Sequence, residues 1–311
     1  MKHIAVTGTG TIGLMLGAFL RRGGHDVTLV SLFRPEVAEL LNREGIRVTF
    51  GDETFTQTVK AVYAGDLPED ERFDIIFFTG KSNDTEAALD RMAQHLAPDG
   101  FVSSLQNGIN DGVISACVGT GRVIPCVCFA GGQCPEKNHV VTHDGTFTIG
   151  EFSGEITPRL LELREILSCA KQVDLTDDIM AARWRKLSEV CITVPVATVT
   201  GYPLFANFAQ PEMQRAFGLL ACEITEVKRA CGVKTEPIMG LTAEEWKAHI
   251  ENPDPALEAK FLARTAMPAP AEEDEDVPHL APEDAYTQDI RKGRPLEVWY
   301  TNGYVAQLAR E

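Results

Sequence analysis

The sequence is short of positive charge. Against 45 Asp and Glu stand 29 Lys and Arg, a formal net charge of −16. A chain with that balance offers no broad basic face, which argues against nucleic acid and anionic membranes as partners. It also lacks any apolar run near the roughly 18 residues of a membrane-crossing helix, so no membrane role is expected. The N-terminus enters a strand-like run at once and leaves no room for a signal or transit peptide, so a cytoplasmic protein is expected. Eight cysteines are present, but no C-x-x-C completes a zinc set around the only close cluster, Cys126, Cys128 and Cys134, with His139 nearby. These are read as reduced core thiols, and no metal site is expected.

What is present is a globular composition, 44% apolar over 311 residues, enough for two domains and a sizeable core. Close to the start, Ile4-Ala5-Val6 reads as a buried strand and Ile12 to Leu20 as a helix with arginines at its far end. Between them lies G-x-G-x-x-G, with Gly8, Gly10 and Gly13 separated by Thr9, Thr11 and Ile12. A glycine turn between strand and helix aims backbone N–H groups and the positive helix end at one spot, which suits a pyrophosphate. A tight turn that binds nothing is the plain alternative. The second strand ends in Ser31-Leu32-Phe33-Arg34, where an NAD enzyme usually carries an acid for the ribose hydroxyls. A hydroxyl and an arginine suit a 2′-phosphate, so NADP(H) is favoured over NAD, unless Arg34 is simply a solvated residue at a helix start.

Further along, residues 46–63 alternate as a hairpin about Gly51-Asp52 and are expected to feed the main sheet. Strands follow at 73–78 and 101–105, the first running into Lys81 and a helix to about His95, the second into Gln106-Asn107-Gly108. Strand-like segments at 123–129 and 140–149, the latter with a turn at Asp144-Gly145, lead to a helix near 156–167. From about Asp178 helices dominate. The pattern predicts an α/β fold: a Rossmann-type doubly wound parallel sheet over 1–177, then an all-helical domain over 178–311. Ligands gather at strand carboxyl ends in such sheets, so the 8–13 turn, Lys81 and Asn107 are expected to converge. The proline- and acid-rich stretch 267–285 is expected to be a solvated loop, with a charge-repelling lid as the sharper alternative.

Several motifs occur together and in order: the 8–13 turn, Lys81-x-x-Asp84-Thr85, Leu105-Gln106-Asn107-Gly108, Trp184-x-Lys186-Leu187, and Gln288-Asp289-Ile290-Arg291-Lys292-Gly293-Arg294-Pro295-Leu296-Glu297, with Asn302-Gly303 close behind. Together they resemble the ketopantoate (2-dehydropantoate) reductase family of NADPH-dependent 2-keto acid reductases. The resemblance implies Lys186 as the catalytic lysine that protonates the carbonyl oxygen, and Glu297 as the acidic partner in the cleft that either holds Lys186 in place or binds the substrate. It implies Lys81 and Asn107 as contacts of the nicotinamide ribose and the substrate. Pattern alone leaves Lys186 as a surface lysine and Glu297 as a surface ion-pair member.

The departures carry information. Two asparagines that the family usually places four and eight residues after the lysine are Val190 and Val194 here. A serine expected shortly before the Gln-Asp-Ile-Arg run aligns with Ala285, and an acid two residues after the glutamate aligns with Trp299. The substrate is therefore expected to be a small-molecule carbonyl compound bulkier or more apolar than ketopantoate, or else the enzyme is expected to run the reverse oxidation. An opine-type or other hydroxy-compound dehydrogenase is an alternative, as is a non-catalytic NADP-binding redox sensor. A homodimer is compatible with all of these.

Overall fold

In the computed structural model the described residues are 2–201, 207–208, 210–265 and 284–311. Of the acid-rich stretch expected as a solvated loop, all but Asp284 and Ala285 lies outside them. The chain divides into two compact units, Met1–Ala182 and Arg183–Glu311.

The first unit opens with β1 (His3–Thr7), α1 (Thr11–Arg22), β2 (Asp26–Ser31) and α2 (Pro35–Glu44). It continues through β3 (Ile46–Phe50), β4 (Glu53–Gln57), β5 (Lys60–Tyr63), β6 (Phe73–Phe78), α3 (Thr85–Met92), β7 (Leu96–Ser104) and α4 (Asp111–Val118). Five strands form a sheet in the order β5-β2-β1-β6-β7, each neighbour pair parallel. Strands buried on both faces must be apolar at successive positions, which is why Ile4-Ala5-Val6 and Ile75-Ile76-Phe77-Phe78 form unbroken runs. The pleat sorts them into two cores. Ile4, Val6, Ile75 and Phe77 pack with Leu14 and Leu16 of α1. Ala5, Ile76 and Phe78 pack with Leu89 and Met92 of α3. The sheet is thus covered on both sides, as the pattern predicts.

The hairpin expectation is corrected. Residues 46–63 do not feed the parallel sheet as one hairpin; only β5 enters it. β3 and β4 do pair about Gly51-Asp52, but they join a second sheet. The remaining strands are β8 (Cys126–Cys128), β9 (Gly132–Glu136), β10 (His139–Thr142) and β11 (Thr146–Ile149), followed by α5 (Pro158–Leu167) and β12 (Gln172–Leu175). The second sheet runs β4-β3-β10-β9 and a third runs β12-β11-β8. The 140–149 stretch is therefore divided between two sheets. Gly145 marks the crossing, because a Cβ there would sit 2.7 Å from the Phe129 carbonyl oxygen. Of the segment 123–129, only 126–128 pairs as a strand, with Val123 bridging singly to Val102. Cys126 and Cys128 are buried in the core beside α1, as thiols.

In the second unit the described residues are helical apart from turns and one isolated bridge between Ile238 and Leu241. Its helices are α6 (Ile179–Thr200), which begins just before the division, α7 (Pro211–Ala230), α8 (Ala243–Glu251), α9 (Pro255–Thr265), α10 (Ala285–Arg291) and α11 (Asn302–Leu308). Thr242 and Glu245 form a reciprocal cap at the start of α8. Gly218 lets α7 lie close against Trp246 and Ile250 of α8. Among the described residues no helix is long and apolar enough to cross a membrane.

Candidate functional site

In the first unit the chain leaves β1 at the point where strand order reverses, since β2 lies on one side of β1 and β6 on the other. That reversal is where open α/β sheets bind ligands. Each glycine of the turn has its own steric reason. Gly8 has φ +96°, and a Cβ there would stand 2.8 Å from the Gly80 amide nitrogen that follows β6. A Cβ on Gly13 would overlap the Gly8 carbonyl oxygen and stand 2.7 Å from Thr79 Oγ1. At Gly10 a Cβ would meet nothing within 4 Å, so the backbone there borders open space.

Gly10 caps α1 without a side chain, and the first turn holds no acidic residue. The amides of Thr11, Ile12 and Gly13 open the helix and have no acceptor one turn earlier within it. Bare amides, a positive helix end and space beside Gly10 fit an anionic diphosphate. The chain's own residues thus fit a dinucleotide at this turn.

Arg34 is half-buried, and its Nη2 donates to Thr9 Oγ1 at 3.1 Å, which folds the guanidinium back over the turn. Ser31 is buried, and its Oγ donates to the Arg34 carbonyl oxygen at 2.8 Å. The structure therefore brings Arg34 and Thr9 together, while the Ser31 hydroxyl goes into shaping the bend before α2. Lys81 follows β6 and Asn107 follows β7, on loops laced together by side chains. Gln106 Nε2 donates to the Lys81 carbonyl oxygen at 3.0 Å. Ser82 Oγ donates to the Asn107 carbonyl oxygen at 2.7 Å, and Asn110 Nδ2 donates to the same oxygen at 3.0 Å. Gln106 was legible only as part of a motif; its role as the brace between the loops is a product of the fold.

In the second unit Lys186, Val190 and Val194 follow one another at four-residue spacing on α6, which puts them on one stripe of the helix. Lys186 and Val194 are half-buried and Val190 is buried. Ala285 opens α10, whose cap is Asp284. The Asp284 Oδ1 accepts from Thr198 Oγ1 of α6 at 3.1 Å, so Ala285 lies beside the same helix. Glu297 is buried, only 2% exposed, just ahead of the turn 298–300. Its neighbour Tyr286 has a hydroxyl pushed up to about 12, chiefly by burial; the Thr301 hydrogen bond opposes this, while Glu297, Cys191 and Asp289 add to it. Trp299, by contrast, stands 79% exposed on its unit.

A reversed-order parallel sheet with a bare glycine turn at its switch point defines a dinucleotide-binding protein of the Rossmann class. Comparison with known proteins gives the narrower assignment. Residues 4–154 match the model described as "Ketopantoate reductase PanE/ApbA", and residues 178–311 match its C-terminal counterpart. The chain belongs to the ketopantoate reductase family and is a nicotinamide-dependent oxidoreductase acting on CH–OH groups. It is 25% identical to a 2-dehydropantoate 2-reductase of Archaeoglobus fulgidus, covering 100% of this chain and 92% of that protein. Among solved structures it is similar to the 2-dehydropantoate 2-reductase of Geobacter metallireducens, with a TM-score of 0.79 at 23% identity over 99% and 93% of the two chains. It is also similar to a D-mandelate dehydrogenase bound to NADH and anilino(oxo)acetate, with a TM-score of 0.81 at 17% identity over 99% and 91%. At these identities the structural likeness is one of fold.

Proposed function

We propose that this protein is an NADPH-dependent reductase of a 2-keto acid or related ketone more apolar than ketopantoate. The observation that carries the reading is the stripe on α6. It holds one half-buried cation, Lys186, followed at successive turns by Val190 and Val194. An ammonium beside a carbonyl polarises it and can protonate the alkoxide as it forms. A wall of valine leaves substrate hydroxyls without partners. Losing water for nothing costs about 1–3 kcal/mol per buried polar group, so such a wall discriminates against polar side chains.

When bound, the dinucleotide supplies the hydride. The 8–13 turn would hold its diphosphate and Arg34 its 2′-phosphate, while Lys81 and Asn107 would meet the nicotinamide ribose and the substrate. The carbonyl π electrons move to oxygen as its carbon is reduced, and Lys186 Nζ gives that oxygen a proton. Glu297 would orient the ammonium. Val190, Val194, Ala285 and Trp299 would form the substrate's surroundings.

The proposal is tested by NADPH oxidation on addition of 2-keto acids, with NADH run beside it. NADPH should be preferred. Arg34→Ala should weaken NADPH binding by about tenfold or more, the worth of one charge-assisted contact to phosphate, and leave NADH binding unchanged. Equal losses for both dinucleotides would remove Arg34 from the 2′-phosphate. Absence of turnover with every 2-keto acid and ketone tried would favour a cofactor-binding sensor.

A further inference from the structure

Helix α6 carries a proline in its interior, Pro195. Proline has no N–H for the carbonyl four residues back, and its ring crowds that carbonyl. The carbonyl in question belongs to Cys191, in a stretch where Cys191 and Ile192 are fully buried. A buried carbonyl expelled from the helix ladder needs another donor. Here the donor is a side chain from α11: Asn302 Nδ2 reaches the Cys191 oxygen at 2.9 Å.

Asn302 closes the short segment that begins at Glu297. Within it the Tyr300 amide donates to the Glu297 carbonyl oxygen at 2.9 Å. Thr301 is fully buried and shares a hydrogen bond with the Tyr286 hydroxyl of α10. On the far side of Asn302, Tyr304 places its ring 6.2 Å from that of Trp184 on α6. The segment is thus a compact turn tied to α10 and α11, and Asn302 bonds it to the helix that carries Lys186.

We infer that Asn302 is a positioning residue: by capping the carbonyl that Pro195 releases, it sets the Glu297 segment in register with Lys186. The inference rests on the roles proposed above for Lys186 and Glu297. Pro195 is the other half of the device, since without it the Cys191 carbonyl would be taken inside α6.

The test is a double-mutant cycle of Asn302→Ala and Pro195→Ala, read by kcat with a 2-keto acid, by NADPH affinity and by unfolding midpoint. Asn302→Ala should lower kcat by about tenfold or more, the scale on which small misplacements act, and leave NADPH affinity within about twofold. Asn302→Asp keeps the shape but loses the donor, and should behave like alanine. Pro195→Ala restores an amide for Cys191, so in that background Asn302→Ala should change kcat by less than about threefold, and the midpoint shifts should be non-additive. Equal effects of Asn302→Ala in both backgrounds, or an Asn302→Asp variant with unaltered kcat, would overturn the inference. If the unaltered protein turns over no carbonyl compound, the functional reading fails instead. The coupling is then decided by the midpoints alone, additive shifts overturning it and non-additive shifts supporting it.

Discussion

Lys186→Ala is expected to lower kcat by about 10²–10⁴-fold, the usual worth of a positioned general acid, while NADPH affinity stays unchanged. The reason is a separation of roles. The glycine turn, Arg34 and the laced loops after β6 and β7 all lie in the first unit, and they are the residues proposed to hold the cofactor. Lys186 lies on a helix of the second, and its proposed contribution is confined to the proton that the reduced carbonyl oxygen must receive. Its half-buried position means that truncation removes little core volume, so the unfolding midpoint should move only slightly. A variant that binds NADPH normally and turns over at a few per cent or less of the original rate fits the account. Turnover within about threefold of the original would take the proton-transfer role away from Lys186.

The second large effect belongs to the opening glycines, where two substitutions separate shape from binding. Gly13→Ala would drive a methyl group into the Gly8 carbonyl oxygen and against Thr79 Oγ1, both parts of the rigid rim between β1 and β6. The turn cannot yield without disturbing β1, so a stability loss of about 1–3 kcal/mol is expected together with loss of NADPH binding. Gly10→Ala meets no protein atom within 4 Å and should fold normally. Its methyl would nevertheless occupy the space proposed for the diphosphate, so NADPH binding should fall steeply with an unchanged unfolding midpoint. Calorimetric titration and thermal unfolding of both variants check this. Normal NADPH affinity in Gly10→Ala would mean that the diphosphate does not lie at this turn.

These outcomes depend on features of unequal visibility in the sequence. The strand, glycine turn and helix of residues 3–22 were readable because each signal is local: an apolar run, a spacing, an amphipathic period. The hairpin at 46–63 misled because sheet membership is not local. β3 finds its parallel partner β10 some ninety residues later, and nothing within 46–63 records that pairing. β10 and β11 read as one strand-like segment with a turn, yet the packing of Gly145 against Phe129 carries the chain from one sheet into another.

The candidate site divides in the same way. Residue identities at Lys186, Val190, Val194 and Glu297 were legible by position along a familiar pattern, whereas the braces were not. Ser31, expected to face the cofactor, donates its hydroxyl to the Arg34 carbonyl, and it is Arg34 that leans over the turn. Pro195, which local rules would read as a helix end, sits inside a helix that continues to Thr200. A distant asparagine accommodates it by supplying the donor that the ladder lacks.

The proposed preference for an apolar substrate rests on a half-buried Lys186 followed on its stripe of α6 by Val190 and Val194. It is tested most directly by the ratio of kcat/KM for two substrates in the unaltered protein with NADPH. One is ketopantoate; the other is a 2-keto acid with an apolar side chain of at least equal size. A ratio favouring the apolar substrate by about tenfold or more is expected, the discrimination that one unpartnered hydroxyl provides. Equal or better use of ketopantoate would contradict it.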